Sequence, residues 1–80
     1  MFNARKLKEL MSAQPFRPFK VWLSDGKSYK VPNHDAAFVT QNFLEVGLDL
    51  NRDGIARRSV NCAILHITQV EFLKAVVDAK

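Results

Sequence analysis

A chain of 80 residues has room for one hydrophobic core, because a domain of this size buries only about 60% of the surface that its unfolded chain exposes. Apolar residues make up 48% and charged residues 25%, with only three glycines and three prolines, which is a globular composition and excludes a disordered chain. The net charge of +4 is uneven: residues 1–30 hold seven Lys or Arg against Glu9 and Asp25, and residues 31–80 hold five against six acids.

No apolar run approaches the roughly 20 residues of a membrane span. Arg5, Lys6, Lys8 and Glu9 interrupt the N-terminus where an export signal needs an unbroken apolar run. The lone Cys62 has no internal disulfide partner, so a cytoplasmic protein is expected, with Cys62 a buried structural thiol among Val60, Ala63 and Ile64. The expected organisation is a single domain over residues 1–80, with a helix at about 3–13, a β-barrel at about 19–73 and a flexible C-terminal tail.

The first element is the helix. Leu7, Leu10 and Met11 follow the three-and-four spacing of one apolar stripe. Asn3 is placed as its N-cap, and Phe2 and Leu7 as a hydrophobic staple. Pro15 ends it, since the residue before a proline is pushed out of the helical region, and Pro18 keeps the connector extended.

A hairpin follows. Phe19, Val21 and Leu23 alternate with Lys20, Trp22 and Ser24 up to Asp25-Gly26. A two-residue loop would set Val21 against Lys30 and mix apolar with charged residues on both faces. A three-residue loop with Gly26 left-handed pairs Phe19 with Val31 and Val21 with Tyr29, and this register is chosen. Trp22 then lies on the opposite face, where cover by the helix stripe is expected in preference to exposure for a ligand.

Residues 32–40 show no clear period and are read as a turn and a short irregular bridge. From Asn42 alternation returns, with Leu44, Val46, Leu48 and Leu50 inward and Phe43, Glu45, Gly47 and Asp49 outward. A polar loop at 51–54, a fourth strand at about 56–64, a short turn at Leu65 and His66 and a last strand at 67–72 complete the order. Thr68 and Glu71 also make a capping box, with Val70, Leu73 and Val77 on a helical stripe, so a C-terminal helix is the second choice for that segment. The predicted core is Phe19, Val21, Leu23, Tyr29, Val31, Leu44, Val46, Leu48, Val60, Ile64, Ile67, Val70 and Phe72.

Chemistry-bearing patterns are sparse. Asp49-x-Asn51-x-Asp53-Gly54 matches the opening of a calcium loop, but position twelve is Val60 rather than a bidentate Glu, and Arg52, Arg57 and Arg58 crowd it. A polar hairpin loop explains it better. Cys62 and His66 would sit roughly 13 Å apart on one strand, too far for a nucleophile and its base. Neither a zinc spacing nor a phosphate-binding glycine loop is present. No enzyme activity, cofactor or metal is expected.

The order of helix, proline connector, bent glycine-turn hairpin, three further strands and a turn before the last resembles an SH3-like small barrel of the Sm type. Val21-x-Leu23-x-x-Gly26, Asn42-Phe43-Leu44 and His66-Ile67-Thr68-x-Val70 resemble the first hairpin, third strand and last turn of the bacterial Sm-like RNA chaperone family (Hfq). The resemblance implies a mainly β fold, an N-terminal α-helix with a five-stranded, strongly bent antiparallel sheet closing as a small barrel. It also implies single-stranded RNA binding with Asn42 and Phe43 stacking and bonding a base, His66 as a second contact, and Arg5, Lys6 and Lys8 as a basic patch. Pro15-Phe16-Arg17-Pro18-Phe19 and Val31-Pro32-Asn33-His34 look closer to a group of short bacterial proteins of uncharacterised role. The leading functional expectation is a non-catalytic module that binds a protein partner or its own copies, the alternative being single-stranded RNA.

Overall fold

A computed structural model of the chain describes residues 2–73. Helix α1 (Ala4–Ser12) is capped by Asn3, whose side-chain oxygen accepts from the Lys6 N–H at 2.9 Å. It is followed by β1 (Phe19–Leu23), β2 (Ser28–Val31), β3 (Ala37–Val39), β4 (Phe43–Leu48), β5 (Arg58–Ala63), a 3-10 turn at Ile64–His66 and β6 (Ile67–Phe72). The last strand falls where strand rather than helix was the first choice. Thr68, Val70 and Glu71 lie in that strand, so the helical alternative does not hold there; its continuation past Leu73, with Val77, and the expected tail lie outside the described residues.

The β1–β2 hairpin has the register that the face argument requires, Phe19 opposite Val31 and Val21 opposite Tyr29. Gly26 sits at φ +89, and its N–H donates to the Leu23 carbonyl while the Leu23 N–H donates to Lys27. A side chain at Gly26 would be strained in that left-handed region.

The single five-stranded barrel is not what forms. The strands make two three-stranded antiparallel sheets, ordered β2-β1-β6 and β3-β4-β5. The segment read as an irregular bridge contains the strand β3, and the chain between β2 and β3 passes from one sheet to the other. Pro32 offers no N–H to a ladder, and the Asn33 side chain accepts from the Asp35 N–H while the Ala36 N–H returns to the Asn33 carbonyl. This local turn takes up the backbone groups that a continuous bent strand would have paired. β4 is shorter than its alternation because Asp49 adopts φ +56 and turns the chain into the 51–54 loop.

One cluster fills the space between the sheets and the helix: Leu7, Met11, Phe19, Val21, Val31, Ala36, Ala37, Leu44, Val46, Cys62, Ile64 and Ile67. Leu23, Tyr29, Leu48, Val60 and Val70 are half-buried against it. Phe72, predicted as core, is 43% exposed, because β6 is an end strand and its last residues lie at the rim. Trp22 is not under the helix. Leu7 and Met11 are spent on the inner side, and Trp22 occupies the outer face, where its indole N–H donates to Glu71 at 2.9 Å and the Lys20 ammonium lies 5.1 Å from the ring centre.

Candidate functional site

Asn42 and Phe43 stand at the start of β4, where the Asn42 carbonyl accepts from the Ile64 N–H at 3.0 Å. That bond ties the strand to the 3-10 turn and brings Leu65 beside Phe43. Phe2, Asn3, Ala4, Gln41, Asn42 and Phe43 line one shallow depression with Ala63, Ile64 and Leu65. Phe43 is 42% and Leu65 76% exposed, a large apolar area to leave in water for so short a segment. Phe43 was legible from its outward register. The exposure of Leu65 was not, since it follows from the 3-10 turn that aims the side chain away from Ile64.

His66 does not line this depression. Its Nδ1 lies 3.4 Å from the Ser24 hydroxyl, and its carbonyl accepts from the Ser24 N–H, so it is tied to the tip of the β1–β2 hairpin. The basic residues of α1 are also divided. Arg5 and Lys8, three apart, share a flank beside Val39, Thr40 and Gln41. Lys6, about 100° round the helix from Arg5, belongs to a depression with Phe2, Leu10, Val70 and Phe72. The six candidate residues therefore lie in four places: Asn42 and Phe43 in one, Arg5 and Lys8 beside it, Lys6 in the depression with Phe72, and His66 at the tip of the β1–β2 hairpin.

Cys62 is buried in β5, as a structural thiol should be. Burial raises its pKa, with a smaller contribution from the negative charge of Asp25. The thiolate is the reactive form, so the group is deactivated as a nucleophile. His66 is occupied at Ser24, which leaves no Cys-His arrangement. In the calcium-like loop the Asn51 side-chain oxygen accepts from the N–H groups of Asp53 and Ile55, and Asp49 pairs with Arg58 at 3.1 Å. Both oxygens do the work of a hairpin loop.

The remaining feature is a set of uncovered strand ends. β5 and β6 close their sheets on one side only. In β6 the Leu73 N–H donates to Pro18, so by alternation Gln69 and Glu71 bond to β1 while Val70 and Phe72 turn their backbone groups outward. Comparison with protein-family models, with curated proteins and with solved structures finds no match to this chain. No helix among the described residues is long and apolar enough to cross a membrane.

Proposed function

We propose that the chain is a non-catalytic binding module that works through protein–protein contacts, chiefly by association with its own copies through the β5 and β6 edges. The observation that carries this reading is the pair of open edges, each beside exposed apolar side chains: Phe72 on β6, and Phe43 and Leu65 next to the end of β5. An uncovered edge presents unpaired N–H and C=O groups that a second strand can satisfy, and exposed aromatics add apolar area to such a contact. The helix, the glycine-turn hairpin, the 3-10 turn and a last strand set beside the first support kinship with small Sm-type domains, here as two sheets around one core.

Light scattering after gel filtration, over low to high micromolar protein, tests it. The expected result is a mass above that of one chain, reduced to one chain by Asn61→Pro. By the β4–β5 alternation that substitution removes an outward N–H and leaves the ladder intact. A wild-type chain that stays monomeric throughout overturns the self-association reading.

A second reading, single-stranded RNA binding, is favoured by one arrangement: the exposed Phe43 ring and Asn42 amide beside the flank that holds Arg5 and Lys8. Stacking on an aromatic with cations nearby suits a single strand. Fluorescence anisotropy with short oligo-U and oligo-A at low and moderate salt tests it, because the logarithmic salt slope is about 0.7 per phosphate contacted. No binding at micromolar protein ends the RNA reading, and binding untouched by Phe43→Ala ends the site.

A further inference from the structure

The outer face of the β2-β1-β6 sheet carries a charge arrangement that the fold does not balance. Phe19, Val21 and Val31 are buried in the core, so Lys20, Trp22 and Lys30 stand on the opposite side of the same hairpin. Lys20 and Lys30 are direct partners in the β1–β2 register. Because the Leu23 N–H donates to Lys27, alternation makes them a non-hydrogen-bonded pair, the kind that brings side chains closest. Like charges set directly opposite each other are destabilising, and neither lysine belongs to an ion pair among the described residues.

The acid of this face is Glu71, opposite Lys20 in the β1–β6 register. Its Oε1 accepts from the Trp22 indole at 2.9 Å, while the Lys20 ammonium lies over the indole, 5.1 Å from the ring centre. Asp25, at the hairpin tip, accepts from the Lys27 N–H. The face therefore presents one aromatic ring and two cations against a single carboxylate.

We propose that this face binds single-stranded nucleic acid, with a base stacked on Trp22 and the flanking phosphates on Lys20 and Lys30. Stacking requires Lys20 to leave the ring, a small loss for a cation–π contact near the surface, and the same motion frees its ammonium for a phosphate. A phosphate between the two lysines relieves their repulsion. Every base has a flat π face, so a ring with cations beside it suits a strand of any sequence. A protein segment is the poorer match, because strand addition needs the main-chain groups of an edge and a sheet face offers none. A duplex keeps its bases stacked on one another and leaves nothing for the ring. The inference is independent of self-association and uses a different face from Asn42 and Phe43.

Trp22 is the single tryptophan, so its fluorescence reads the stacked base directly. The test titrates the full chain with oligo-U, beside an RNA duplex and a poly-glutamate peptide. Oligo-U should quench Trp22 at micromolar concentration and the other two should not. The logarithmic salt slope should be about 1.4, from about 0.7 for each of two phosphates. Lys20→Gln with Lys30→Gln should remove most of that slope and weaken binding roughly tenfold. Glu71→Gln keeps an acceptor for the indole and drops the charge, so it should tighten binding. No quenching, quenching untouched by the lysine changes, weaker binding in Glu71→Gln, or equal quenching by the duplex or the peptide each overturns the proposal. Phe43→Ala should quench as wild type does, and a loss there would place the strand at Phe43 and overturn the Trp22 site. A monomer quenched by oligo-U keeps this inference and ends self-association, and an oligomer that is not quenched does the reverse.

Discussion

Gly47→Ala tests how closely the two halves of the second sheet are fitted. A methyl group at Gly47 would lie 2.9 Å from the Ala56 Cβ, 3.2 Å from the Ala36 carbonyl oxygen and 3.4 Å from Leu50 Cδ2. Carbon atoms attract best at about 3.5–4.0 Å, so the first contact is strongly repulsive. Ala56 Cβ is fixed to its backbone and cannot swing aside. Relief requires the 55–57 segment or the β3 approach to move, and overpacking of this kind costs about 1–3 kcal/mol. Replacing glycine also removes freedom from the unfolded chain, which returns about 0.4–1 kcal/mol. The net loss is about 1–2 kcal/mol, or roughly 5–15 °C in Tm for a domain of this size. Urea unfolding followed by Trp22 fluorescence should show a lower midpoint at unchanged slope. Adding Ala56→Gly removes the closest contact and should restore most of the loss, a coupling that two independent sites would not show. A Gly47→Ala chain as stable as the wild type, or a double variant with no recovery, refutes the reasoning.

Leu44→Ala, at a fully buried position, should cost about 2–5 kcal/mol, a large share of the about 5–15 kcal/mol that holds a domain; a urea midpoint within error of wild type would contradict that placement. Asn3→Ala removes the acceptor of the Lys6 N–H and should cost about 1 kcal/mol, read in the same urea assay, with Asn3→Asp close to wild type. Cys62 gives a pH prediction. Its raised pKa means that the folded chain favours the neutral thiol, so this stabilisation is complete below the ordinary value of 9.0 and is lost as pH climbs from there through the folded value. The urea midpoint should fall more steeply above pH 9.0 for wild type than for Cys62→Ala, and parallel profiles would contradict it.

The candidate surfaces were partly legible. Phe43 could be placed outward because alternation fixes which side chains oppose Leu44 and Val46. The separation of Lys6 from Arg5 and Lys8 was available from helical geometry alone, once the flanks of α1 had distinct neighbours. The position of His66 was not, because it depends on the Ser24–His66 bond between segments far apart in the chain. The same holds for Trp22, whose bond to Glu71 follows from where β6 pairs.

What the amino-acid sequence settled by itself was local. The Asn3 cap and the apolar stripe make α1, the mismatch of Val21 with Lys30 under a two-residue loop selects the Gly26 hairpin, and strict alternation makes β4 and its buried Leu44 and Val46. Each depends on neighbours within one or two elements, so periodicity and turn chemistry suffice. Only tertiary structure decided the division into two sheets and the edges left open. Ala36 and Ala37 carry no period, and become core only because β3 meets β4 across the gap closed by Gly47. That choice depends on close approach between distant backbones, which a one-dimensional pattern of apolar and polar residues does not encode.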